Sequence, residues 1–250
     1  LLNKTSIPEA IHQAVLALLF ADSFATVRQQ AFTIAVKNAK RLDFIDIISS
    51  ALFSPYADIK QLALTTLQAK ASIHQLESLL PALVGMLADD SIELRGQALK
   101  VALALTDLQP IRLALATIDK NSSASNNNNE VLISAALASP YPDIQLNVAQ
   151  LLASQSSQSN NNERDNQAYA IFEHYLTIAM PTQDKSSDAF SQWHQHVSQA
   201  LSGLATLSNP AKYNALEWYT NYLHHPDADF SQLAPKLLWI ISLDSTDTDQ

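Results

Sequence analysis

The sequence predicts an all-α protein folded as an α-solenoid of about six helical pairs, and three observations carry that expectation. The first is glycine, present only 3 times in 250 residues, where average usage of about 7% implies roughly 17. Tight hairpins and phosphate-binding loops need glycine for positive φ or close backbone approach, and Gly85, Gly96 and Gly203 are each isolated. The second is composition: 47% of residues are hydrophobic and 16% charged, enough apolar material for a core, and Leu, Ala and Gln are strong helix formers. The third is an internal repeat.

Five segments share one shape: 21–36, 53–68, 88–103, 138–153 and 224–239; a sixth, 185–200, fits more loosely. They register on an apolar anchor at Val27, Ile59, Leu94, Ile144, Phe190 and Phe230. Positions four, seven and eight past the anchor are mostly apolar or small, as in Ala31, Ile34 and Ala35 or Ala98, Val101 and Ala102. That spacing places them on one helical face. A turn rich in Asp, Ser and Pro precedes each anchor and suits a helix start. Before each turn lies a further apolar stretch: 11–20, 42–53, 73–87, 131–138, 168–180 and 211–223. The unit is therefore helix, turn, helix. The anchors lie 32, 35, 50, 46 and 40 residues apart; a unit of roughly 30–47 residues is in the range of stacked two-helix repeats, and two polar insertions account for the 50- and 46-residue gaps.

With these residues in register, the chain resembles the HEAT-repeat (armadillo-like) family. That family opens its second helix with an aliphatic residue, a basic residue and then Ala three places on. Here the pattern reads Val27-Arg28…Ala31, Ile59-Lys60…Ala63 and Leu94-Arg95…Ala98. An Asp six places before the base matches at Asp22…Arg28 and Asp89…Arg95, whereas Ser54…Lys60 lacks the acid and Ser139…Gln145 lacks both charges. Turn acids and second-helix bases are expected to form a ladder between repeats, and a lone buried charge costs more than a lost pair. The resemblance implies one right-handed superhelical domain over residues 1–250. It also implies a concave surface lined by second helices. The positions facing away from the anchors, Gln29, Gln30, Gln61, Thr65, Gln97, Lys100, Asn147 and Gln150, form a nearly neutral, amide-rich strip. These are the candidate partner-binding residues, since amides both donate and accept.

Two polar stretches, 121–129 and 154–166, interrupt the array and are expected as loops; 244–250 is expected as a disordered acidic tail. Asn3 and Asn121 begin glycosylation sequons, which matter only in a secretory pathway. The first residue is Leu, so a processed chain or a fragment of a longer array is expected. The net charge of −9 lies entirely in residues 121–250, with 4 basic and 13 acidic groups, whereas 1–120 carries 11 of each. This balance argues against general nucleic-acid binding, which calls for a basic face.

No catalytic constellation is evident. The chain has no cysteine, so no thiolate chemistry is open to it. It has no GxGxxG, Walker A, GxSxG or HExxH motif. His194 and His196 are two apart, and His224 and His225 sit in a turn; neither spacing is that of a helical zinc site. Trp193, Trp218 and Trp239, with Tyr213, Tyr219 and Tyr222, gather near the C-terminus and are expected as core. The expectation is a non-catalytic scaffold with no cofactor and no metal. It binds a protein partner, has no membrane span and, from its missing cysteines and signal, is cytoplasmic. The rivals are a nucleic-acid-binding or DNA-repair protein of HEAT-like form, using Arg28, Lys60, Arg95 and Lys100 as a basic stripe, and a docking segment of a larger enzyme.

Overall fold

A computed structural model describes residues 9–39, 41–70, 77–105, 123–159, 162–181, 186–207, 209–223 and 230. Every regular element among them is helical: α1 (Glu9–Ala21), α2 (Ala25–Asn38), α3 (Arg41–Leu52), α4 (Ala57–Lys70), a 3-10 turn (Glu77–Leu79) running into α5 (Leu80–Met86), α6 (Ile92–Leu105), α7 (Ser123–Leu137), α8 (Pro142–Ser159), α9 (Asn162–Thr177), α10 (Asp188–Leu204) and α11 (Asn209–Leu223). The chain divides into two compact units, residues 1–135 and 136–250. Helix α7 crosses that boundary.

In the first unit, consecutive helices pair as hairpins: α1 with α2, α3 with α4, and α5 with α6. The second helices lie side by side, α2 on α4 and α4 on α6, while α3 lies on α5. The helices are therefore stacked in two layers. Burial follows the anchor register. Ile59, Leu94, Ala31, Ala63, Ala98, Ala35, Leu67 and Ala102 are all buried. Position seven, expected inside, varies: Val101 and Val197 are buried, Ile34 is 43% exposed, and Thr66 and Leu151 are half-buried. Position five is buried as well, at Phe32, Leu64 and Leu99. A second helix covered both by its own partner and by its neighbours buries a wider face than one covered on a single side. Each fully buried Leu or Ile contributes roughly 1.5–3 kcal/mol.

The second unit packs α8 against α9 and α10, and α11 against α9 and α10. Its polar side chains close helix ends. Trp193 Nε1 donates to the Ile178 carbonyl at 3.0 Å and the Tyr219 hydroxyl to the Leu201 carbonyl at 2.9 Å. The Tyr222 hydroxyl donates to the Leu176 carbonyl at 3.4 Å. The final carbonyls of a helix have no intrahelical partner, and buried aromatic donors supply one here. Of the C-terminal aromatics, Trp193, Tyr219 and Tyr222 are buried as expected and Trp218 is half-buried; Phe230 meets Trp193, Tyr222 and His194 at ring-centroid distances of 5.5, 5.4 and 4.5 Å. Trp239 and Tyr213's side chain lie outside what is described.

The polar stretches differ from expectation. Residues 123–129 are the first turns of α7, 154–159 end α8 and 162–166 begin α9. Helix propagation costs little once a nucleus exists, and the apolar Leu132, Ile133 and Ala136 supply that nucleus for the asparagine run. Across the second stretch Gln155 is buried and accepts from Arg164 at 3.1 Å, so the polar residues join α8 to α9. Residues 121–122, 160–161 and the expected tail at 244–250 lie outside the described residues, as do the sequon asparagines Asn3 and Asn121 and His224–Pro226.

Two glycines separate packing from propensity. A Cβ on Gly203 would stand 2.3 Å from the Phe172 ring, whereas one on Gly96 would meet nothing within 4 Å. Gly203→Ala is expected to destabilise the chain by about 1–3 kcal/mol through overpacking. Gly96→Ala, inside α6, is expected to stabilise it by roughly 0.5–1 kcal/mol. Urea denaturation of both variants checks the opposite signs.

Candidate functional site

Four turns between consecutive helices are built alike, three in the first unit and one in the second. Six places before each basic position stands Asp22, Ser54, Asp89 or Ser139. Each side chain accepts a hydrogen bond from the backbone N–H two residues on, at Phe24, Tyr56, Ser91 and Tyr141, with distances of 2.8, 3.2, 2.9 and 3.3 Å. These are Asx- and Ser-type turns. The next carbonyl then starts the helix: Phe24 accepts from Val27 and Arg28, Tyr56 from Ile59 and Lys60, and Tyr141 from Ile144 and Gln145. Serine makes the same bond as aspartate at a longer distance, so the turn keeps its form without the charge at Ser54 and Ser139.

The side chain one place past the anchor reaches back over the turn. Arg28 Nη1 donates to the carbonyls of Asp22 and Ser23 at 2.8 and 3.1 Å, and Arg95 Nη1 to those of Asp89 and Asp90 at 3.2 and 3.0 Å. Gln145 Nε2 donates to those of Leu137 and Ser139 at 3.0 and 2.8 Å. The amide keeps the clamp without a charge. Its oxygen accepts from the Tyr175 hydroxyl at 2.5 Å.

A ladder between successive hairpins is present in the first unit. Arg28 Nη2 pairs with Asp58 Oδ1 at 3.0 Å, and Lys60 Nζ with Asp89 Oδ2 at 2.6 Å. The Tyr56 ring lies 3.8 Å from the Arg28 guanidinium carbon, a cation–π contact. The rungs use two different acids. Asp89 is the turn acid expected from sequence; Asp58, next to its anchor, was not singled out there. Asp22 serves its own turn. Removing one member of a pair this buried strands the other. Arg28→Ala is expected to cost about 3 kcal/mol, and Lys60→Ala less, because Lys60 is more exposed. Chemical denaturation of the two variants measures the difference.

The amide-rich strip falls into two sets. Gln29 and Gln30 on α2, Thr65 on α4 and Lys100 on α6 are exposed, and Gln61 and Gln97 are half-buried. These six share three neighbouring helices of the first unit. Gln29 and Gln30 also line a shallow depression with Thr26, Thr33 and Ile34. Asn147 and Gln150 belong to the second unit, where they meet Gln199 of α10. Gln199 Nε2 donates to Asn147 Oδ1 at 3.2 Å and Gln150 Oε1 at 3.4 Å, and Gln150 Nε2 donates to the Gln199 carbonyl at 3.2 Å. Gln199 escaped the sequence reading because its segment follows the repeat loosely. The proposed basic stripe is not brought together as a free cationic surface. Arg28 and Lys60 are ion-paired, and Arg95 is buried on its own turn.

The second unit also holds an ionisable group. Burial pushes His196 below its ordinary value, opposed by the nearby Asp143 carboxylate. Its ring lies 5.6 Å from that of Tyr175, whose hydroxyl burial and Asp143 push up to about 12. A lowered histidine disfavours its charged form in the folded state. Its stability contribution is present above the unfolded value near 6.5 and is lost as pH falls through the folded one. His196→Gln is expected to flatten the decline in stability between pH 7.5 and 5, read as urea midpoints at each pH. Among the described residues no group of three His, Asp or Glu is placed to hold a metal, and no helix is long and apolar enough to cross a membrane.

No protein-family model and no curated protein matches the sequence. Among solved structures, the chain aligns with two crystal structures of engineered proteins, both Northeast Structural Genomics Consortium targets. One is 16% identical with a TM-score of 0.42, covering 93% of this chain and 96% of that one. The other is 13% identical with a TM-score of 0.29, covering 94% and 71%.

Proposed function

We propose that this chain is an interaction scaffold: a right-handed α-solenoid of HEAT-like helical pairs that binds a protein partner on the face of its second helices. The observation that supports the reading most is the stacking of α2, α4 and α6 side by side, with amide and hydroxyl side chains on the exposed face. Such a layer offers a long, nearly neutral surface that hydrogen-bonds in both directions. The clamps and rungs hold its helices in register, which lowers the ordering cost of binding. Nucleic acid is the weaker reading, because two of the cations it needs face carboxylates and a third grips its own turn.

The experiment is affinity capture from a native lysate with the chain and with a Gln29→Glu, Gln30→Glu, Lys100→Glu variant. All three positions are exposed, so the variant is expected to melt like the parent. A protein retained by the parent and depleted at least about tenfold on the variant, a difference near 1.4 kcal/mol, is the expected result. Equal retention by both overturns this face as the site. Recovery of nucleic acid alone, lost with added salt, overturns the protein-scaffold reading.

A further inference from the structure

We propose that the second unit carries a guanidinium-binding site between α9 and α11, built by Tyr169, Glu173, Glu217 and Trp218, that takes an arginine side chain of a partner protein. Hydrogen bonds join these side chains across the two helices. Trp218 Nε1 donates to the Tyr169 hydroxyl at 3.2 Å, and that hydroxyl donates to Glu173 Oε1 at 3.3 Å. Glu173 lies four residues past Tyr169, on the same face of α9, and Glu217 precedes Trp218 on α11. Burial, opposed by the bond from Trp218, raises the Tyr169 hydroxyl above its ordinary value, and the charges of Glu173 and Glu217 raise it further. Two acids therefore act on one aromatic pair. Glu217 is exposed and the other three are half-buried.

Among the described residues neither carboxylate has a cation at ion-pair distance. No Lys or Arg stands three or four places from Glu173 or Glu217 on its own helix, the spacing at which helical ion pairs form. Among the described side chains of the second unit Arg164 is the one Lys or Arg, and it donates to Gln155. The negative potential at this hydroxyl is thus left uncompensated, in the part of the chain that carries the whole −9, and such a potential draws cations.

The rings select which cation. In the first unit the chain holds a guanidinium of its own by the same chemistry: Arg28 pairs with Asp58 at 3.0 Å, and its guanidinium carbon lies 3.8 Å from the Tyr56 ring. The second unit supplies rings and carboxylates without the arginine. A guanidinium is planar, carries five donors and is weakly hydrated, so it bonds carboxylates while its flat face stacks on an aromatic ring. An ammonium is a compact, strongly hydrated point charge and gains less from such a place. The hydrogen bonds from Trp218 to Tyr169 and on to Glu173 orient the site before the ligand arrives, which lowers the ordering cost of binding.

The test titrates the full chain with the peptide acetyl-Gly-Arg-Gly-amide and follows the indole N–H resonances by NMR, with Trp218→Phe assigning the Trp218 signal. The expected result is a saturable shift of that signal, with the citrulline peptide at least about tenfold weaker and the lysine peptide also weaker. Glu173→Gln, Glu217→Gln is expected to weaken arginine binding at least about tenfold. The Gln29, Gln30, Lys100 variant is expected to bind like the parent, which separates this site from the second-helix face of the first unit. If the double variant melts early, Glu217→Gln alone gives the reading, because Glu217 is exposed. No saturable shift in the parent, equal binding of the citrulline or lysine peptide, equal binding by parent and acid variants, or a shift of the Trp193 signal in place of Trp218 overturns the proposal. So does free arginine binding more tightly than the peptide, which makes the ligand a small amino acid and not a partner's side chain.

Discussion

A side chain reaching back across a turn holds this structure in register. Paired helices joined by a short polar turn have no intrinsic reason to meet at one angle. The residue after each anchor ties the turn's carbonyls to the helix that follows, at Arg28, Arg95 and Gln145. Those carbonyls would otherwise be partly buried without partners, at a cost of roughly 1–3 kcal/mol each. With the turn closed, the anchor and the small residue four places on are delivered together to the neighbouring helix. The layered packing of the first unit depends on that delivery.

Much of this was legible in the amino-acid order. The anchor period located the second helices, because a buried face must recur at helical spacing. Val27 shows the limit of the pattern: it holds the register but is only half-buried. Position seven is buried at Val101 and exposed at Ile34. Position five was missed because a helical wheel treats a helix as buried on one side, whereas packing against two neighbours widens the covered face to include it. The asparagine run at 123–129 was misread as a loop because propensity is local, whereas helix extension is decided by the apolar turns it joins.

The strip was legible as a composition but not as a geometry. Gln29 and Gln30 are exposed as expected, whereas Asn147 and Gln150 are tied to Gln199. No spacing rule connects residues 49 or more positions apart unless the repeat between them is regular, and here it is not. The rung acid Asp58 was missed for the opposite reason. It sits beside its anchor, where the repeat register singles out no charged partner, and only the packing of α2 on α4 brings Arg28 to it.

The clamp at Gln145 carries an implication for how such a chain can change over generations. An arginine codon can become a glutamine codon by one base substitution, and the amide still grips two carbonyls. Closing that turn does not require a charge, so a cation there is open to replacement where, unlike Arg28, it carries no rung to an acid. The charge of a turn without a rung is therefore separate from the contacts that keep it shut.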